Sequence, residues 1–193
     1  DALEKRFRLP IIDIAIPALK QLSDSQYPSF KGNLVALINM DARVDLFEWS
    51  LQKILFSHLD GHFHKTPLTA ARHAVPGPLT REFELVLSVI AHAGATDQSS
   101  AQSAFDASVQ VIDAKGMALL AQDQIRLADL DRALGKLDQL APADKSRLLT
   151  ACVISTWNDQ RAMPEEVELL RAFAGVLDCP MPPGVAPGGS HAD

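Results

Sequence analysis

The sequence predicts an all-α fold: a single helical domain with an internal pseudo-two-fold duplication. Three observations predict it. Residues 13–60 align without a gap onto residues 131–178 at a constant offset of 118, and twelve of the 48 positions are identical. Unrelated helices of ordinary composition would match at roughly three. The identities include Asp13/Asp131, Leu19/Leu137, Val35/Val153 and Leu59/Leu177, and an Asp-x-Arg-x4-Glu pattern occurs twice, as Asp41/Arg43/Glu48 and Asp159/Arg161/Glu166. Apolar residues recur at helical spacing behind capping signals. Strand signals are thin, with few β-branched runs and no hairpin dipeptide between alternating segments.

Each element has a local reason. Pro10 suits a first helical turn and opens a segment through Leu22, with Ile11, Ile14, Ala18 and Leu22 on one face. Pro17 within it predicts a kink or an interruption. Ser23 and Gln26 form a capping box for a helix to about Met40, with Phe30, Leu34, Leu37 and Ile38 inward, in which Pro28 costs one backbone bond. Asp45 and Glu48 form a second box, for a helix through about Leu59 that Gly61 stops. Residues 61–79 read as a loop or lid. Thr80 caps a helix to about His92, stopped by Gly94, and Ser99 or Ser100 starts another to about Lys115. The second copy supplies helices near 124–137, 142–158 and 164–176, the last with Pro164 first and Glu165 and Glu166 in its first turn, where the helix dipole favours acids. Residues 1–179 thus form the domain, with 61–130 as a central insert between the copies. From Pro180 onward the Pro/Gly-rich tail reads as disordered.

The bulk properties exclude several classes. With 47 % hydrophobic and 22 % charged residues the chain has a globular, not a disordered, composition. A net charge of −6 argues against a nucleic-acid surface. The best apolar run, Leu85–Ala91, is far short of the roughly 20 residues of a membrane span. Cys152 and Cys179 make no ligand pair, and Cys152 falls on an apolar face as a buried thiol would. Trp49 and Trp157 read as core or groove-edge residues. The chain opens with Asp1 rather than methionine, so it is expected to be cut from something longer.

Two groups of residues could carry chemistry. Asp41, Asp45 and Glu48 bring three carboxylates to one interhelical turn, where oxygen ligands suit a hard divalent cation. The competing reading makes Asp45 an N-cap, Glu48 its box partner and Asp41 the ion-pair partner of Arg43. His58, Asp60, His62, His64 and His73 form the second group, usable by zinc, and His58-x3-His62 has the spacing of a zincin pair. Leu59 stands where that motif needs its general-base Glu, and Gly61 interrupts the helix, so a polar helix end explains the group more simply. There is no phosphate loop, no Gly-x-Ser-x-Gly and no Cys–His arrangement, hence no complete catalytic motif.

The pattern of an Ala-rich helix, Asp41-Ala-Arg-Val-Asp-Leu-Phe-Glu48 and a Leu-rich helix resembles the TerB-like (tellurite-resistance-like) fold. Leu9–Ser23, Leu46–Gln52, His58–Phe63 and Leu169–Pro183 are similar to the C-terminal soluble region of bacterial membrane-bound M48-type metallopeptidases. The resemblance implies a helical accessory domain attached to a zinc protease, not the protease. It also implies acidic clusters at Asp41, Asp45 and Glu48 and at Asp159, Glu165 and Glu166. The chain departs from the pattern where Ala42 and Gln160 replace the usual glycine and Met163 takes the place of Asp45.

The expectation is therefore a non-catalytic regulatory or interaction domain without a cofactor. It would bind protein, possibly its own protease domain, through helix faces or the 61–79 loop, on the cytoplasmic side of a bacterial inner membrane. The alternatives are a divalent-metal sensor using Asp41, Asp45 and Glu48, and a hydrolase using the histidines.

Overall fold

The structure, a computed structural model, describes residues 7–38, 45–64, 79–112 and 116–182. Among these residues there are eight α-helices and no strand: α1 (Arg8–Leu19), α2 (Gln26–Ile38), α3 (Leu46–Phe63), α4 (Thr80–Gly94), α5 (Gln98–Ile112), α6 (Leu127–Leu137), α7 (Pro142–Thr156) and α8 (Pro164–Val176). The chain is an all-α domain.

α4 sets the core. Every residue from Phe83 to Ala91 is buried, as expected of a helix surrounded on all sides. Its neighbours are α5, α6, α7 and α8. Complete burial of a helix carrying polar residues requires partners for them, and α4 provides these in register. Glu84 Oε1 accepts from Ala118 N at 2.9 Å, Ser88 Oγ from Leu120 N at 3.0 Å, and His92 Nε2 lies 2.7 Å from Leu120 O. This i, i+4, i+8 row pins the extended stretch 117–121 along the helix. α8 lies against α3, α4 and α7, while α1 and α2 join the rest of the molecule mainly through α3.

Helix starts follow the caps. The Ser23/Gln26 box is present (Gln26 N to Ser23 Oγ 3.2 Å, Ser23 N to Gln26 Oε1 2.9 Å), and so is the Asp45/Glu48 box (2.8 and 3.2 Å). α8 begins at Pro164 as expected and ends in a 6→1 and 5→2 bonded turn (Cys179 N to Ala174 O, Asp178 N to Gly175 O), with Asp178 at φ +49°.

Several boundaries differ from expectation. α1 runs Arg8–Leu19 and continues through Pro17, because only one short turn remains to lose a bond. α3 does not stop at Gly61 but reaches Phe63. Phe63 stacks on Tyr27 at 4.4 Å, and Asp60 is held by Tyr27 and Lys31. Those contacts outweigh the roughly 1 kcal/mol that an internal glycine costs. Residues 61–63 therefore belong to α3 and not to the insert or a lid, and 65–78 lie outside the described residues. Thr80 is the first helical residue, with Leu79 at the cap. α5 starts at Gln98 because Asp97 and Ser100 cap each other (Ser100 N to Asp97 Oδ1 2.8 Å). α6 begins only at Leu127, behind a 3₁₀ turn at Gln122–Gln124. α7 ends at Thr156. Of the expected tail, 183–193 lies outside the described residues.

Positions 118 apart occupy corresponding helices, α1 with α6, α2 with α7 and α3 with α8. Their contacts correspond too. Arg171 on α8 donates to both oxygens of Asp13 on α1, and Lys53 on α3 lies 2.7 Å from Asp131 on α6. Asp13 and Asp131 are one repeat apart, and so are Lys53 and Arg171. Both pairs join a helix before α4 in the chain to one after it. Ser57 and Gly175, also one repeat apart, meet where α3 crosses α8, and a Cβ at Gly175 would strike Ser57 Oγ.

Candidate functional site

The turn before α3 spends its acids on the helix start. Asp45 Oδ1 accepts from Glu48 N, and Glu48 Oε2 accepts from Asp45 N. Asp41 and Arg43 lie outside the described residues.

The turn before α8 is built differently. Met163 has no side-chain oxygen to cap with, so only the returning half of a box remains, Met163 N donating to Glu166 Oε2 at 2.7 Å. Asp159 Oδ1 accepts from Arg161 N at 3.0 Å, and between them Gln160 adopts φ +64°. Glu166 is buried, and its carboxylate fills the space beside Gly94 at the end of α4, where a Cβ would collide with it. Burial pushes its carboxyl up to about 7, and repulsion from Asp159 and Glu165 acts in the same direction against the Met163 hydrogen bond. A cavity of about 30 Å³ lies alongside, lined by Ala91, Gly94, Ser155, Asn158, Asp159 and Glu166. One water fits such a space. Among the described residues, the buried Ser155 Oγ on its wall has no hydrogen-bond partner. This corner can take up and release a proton near neutrality, and it lies where α4, α7 and α8 meet.

The histidines do not converge. His58 and His62 share α3, but His58 sits by the Asp13–Arg171 pair. Burial and then the Arg171 and Lys20 charges hold its pKa below the ordinary value. His62 meets the Phe63 ring edge-on. His64 tilts on Tyr27, with Nδ1 3.6 Å from Asp60 Oδ1. Asp60 is committed to Tyr27 Oη at 2.7 Å and Lys31 Nζ at 2.7 Å. Its own burial raises its pKa, and these two hydrogen bonds outweigh that and leave it lowered. His73 lies outside the described residues, within which no three His, Cys, Asp or Glu side chains form a group able to hold a metal.

Asp131 was not singled out from the sequence as a functional residue, yet it bridges the two halves. It accepts from Trp49 Nε1 at 2.8 Å and pairs with Lys53. The repeat offers a signal for it, since Asp13/Asp131 is an identity and Lys53/Arg171 keeps its charge. Trp49 itself is buried, edge-on to Phe173 at 6.2 Å. Cys152 is fully buried, which pushes its thiol up to about 12. A groove of about 400 Å³ between α4 and α6 has Leu85, Leu120 and Ala133 on its floor. The charges along it are paired, Lys136 with Glu82 and Arg132 with Asp129.

α2 buries Tyr27 and not the expected stripe Phe30, Leu34, Leu37 and Ile38, because it meets α3 through Tyr27 and Lys31. Ile14 is 76 % exposed and Leu37 65 %, and Ile11 is exposed beside Ile14 on α1. No helix among the described residues is long and apolar enough to cross a membrane. No protein-family model, curated protein or solved structure matches the chain. The described residues define an all-α domain on which Ile11, Ile14 and Leu37 are exposed.

Proposed function

We propose that this chain is a non-catalytic interaction module built from two copies of a three-helix unit, accessory to a membrane-bound zinc metallopeptidase. One observation carries the interaction reading. α1 turns Leu9, Ile12 and Ile16 inward and Ile11 and Ile14 outward. At the corresponding places, α6 turns Leu130 and Leu134 inward and Asp129 and Arg132 outward. The same scaffold position thus carries charge in one copy and isoleucine in the other.

A single exposed apolar side chain is ordinary. Isoleucines where the equivalent helix carries an ion pair give the surface a binding character, since covering each is worth roughly 1.5–3 kcal/mol. The parent enzyme enters through the resemblance to the C-terminal region of such peptidases, and with it the bacterial, cytoplasmic-side setting. Sequencing the reading frame upstream of Asp1 tests that part. A His-Glu-x-x-His helix with flanking membrane spans supports it, and a bare methionine or short leader overturns it.

A further inference from the structure

We infer that the turn joining α7 to α8 is a proton-operated latch: with a proton on the Glu166 carboxyl the turn is shut against the end of α4, and loss of that proton lets it open. The seat is shaped for the neutral form. Glu166 is buried, and its carboxyl occupies the space that a side chain at position 94 would take. Among the described residues one donor reaches it, Met163 N at 2.7 Å. A buried carboxylate without a cation needs several.

No cation is at hand. The faces of α4, α5 and α7 around the adjoining cavity supply Ala91, Gly94, Ser100, Ala104, Ser155 and Asn158, none of them charged. His92 of α4 is turned to Leu120 O, and Lys145 of α7 to Asp138 and Leu177 O at the far end of α8. On the other helices that touch α8, Lys53 of α3 is held by Asp131, and Arg132 and Lys136 of α6 by Asp129 and Glu82. The charges that bear on Glu166 are those of Asp159 and Glu165, and both repel it.

While the latch is shut, the cavity of about 30 Å³ has room for a single water, to which the unpartnered Ser155 Oγ can donate. One water and one N–H leave a carboxylate short of partners. An outward swing of the turn is the smallest movement that admits more. The turn is bonded to itself, Gln160 N to Trp157 O and Arg161 N to Asp159 Oδ1, both at 3.0 Å. One exposed bond, Asn158 Nδ2 to Ser103 Oγ at 3.1 Å, ties it to α5.

Hydrogen exchange of the full chain, read by mass spectrometry at pH 5 and pH 8 and corrected for intrinsic exchange, tests this. The amides that report are Met163, Glu166 and Val167, each bonded within the first turn of α8. Protection of 159–167 is expected to fall roughly seventyfold from pH 5 to pH 8, the ratio for a carboxyl that titrates at about 7 when shut and 4.5 when open. In Glu166→Gln it should stay level. At pH 8 the segment should exchange well ahead of α4, which separates opening of the turn from unfolding of the whole domain. Protection equal to that of α4, no change with pH, the same fall in Glu166→Gln, or no protection even at pH 5 would each overturn the inference.

Discussion

Glu166→Gln should make the domain more stable at pH 8 and leave it little changed at pH 4. Glu166 is buried, and its carboxyl lies at about 7 instead of 4.5. A raised folded-state pKa means that the folded protein holds its proton more tightly than the unfolded chain. The stability this contributes is fully present below about 4.5 and is lost as pH rises through about 7. The difference of about 2.5 pKa units corresponds to roughly 3 kcal/mol between pH 4 and pH 8. Glutamine stays neutral throughout, and its amide oxygen can still accept from Met163 N, so the cap is retained and the charge penalty removed. Urea unfolding at pH 4, 6 and 8, with equal m-values, would show a variant-minus-parent difference rising toward 3 kcal/mol as pH increases. A difference independent of pH, or a variant less stable at pH 8, would refute the reasoning. Either would mean that Glu166 ionises as an ordinary carboxylate.

Four further outcomes are expected. Gln160→Gly relieves a left-handed backbone at φ +64° and should stabilise by about 0.5–1 kcal/mol in thermal unfolding. Asp178→Gly, at φ +49°, should gain less, since aspartate tolerates that region better. Asp131→Ala strands the Trp49 indole N–H and should cost about 1–3 kcal/mol in chemical denaturation. Asp131→Asn keeps an acceptor for it and should cost less than about 1 kcal/mol, so equal losses would show that the hydrogen bond is not what Asp131 supplies. Calorimetric titration with Ca²⁺, Mg²⁺ or Zn²⁺ should give no saturable heat, because Asp45 and Glu48 are spent on the α3 cap. Stoichiometric binding lost in Asp45→Asn would favour the metal-sensing alternative.

What the sequence made legible was local. The Ser23/Gln26 and Asp45/Glu48 boxes and the Pro164 start involve residues three or four apart, and each helix begins where its cap says. Gly61 misled because the contacts that carry α3 past it, Phe63 on Tyr27 and Asp60 on Lys31, join residues about thirty positions apart. Asp97 was passed over for Ser99 or Ser100 because all three are good caps, and only the reciprocal Ser100 bond decides between them. The offset of 118 was readable from identities, and positions so related lie on α1 and α6, on α2 and α7, and on α3 and α8. The crossed pairs Asp13–Arg171 and Lys53–Asp131 were not, since identity at one position says nothing about which distant cation it meets. Glu166 appeared only as an acid in a first turn. Its shift depends on α4 ending in a residue without a side chain at the spot where the carboxylate comes to rest.

The proposed interaction requires that the exposed isoleucines of α1, Ile11 and Ile14, be used. If the chain is the accessory domain proposed above, Ile14→Glu in the parent peptidase, assayed for proteolysis beside Arg132→Glu at the position 118 residues on in α6, tests this most directly. Neither residue is buried, so both isolated domains should unfold as the parent domain does. Altered substrate turnover in Ile14→Glu alone is the predicted result. Proteolysis unchanged by Ile14→Glu, or changed equally by both variants, would contradict it.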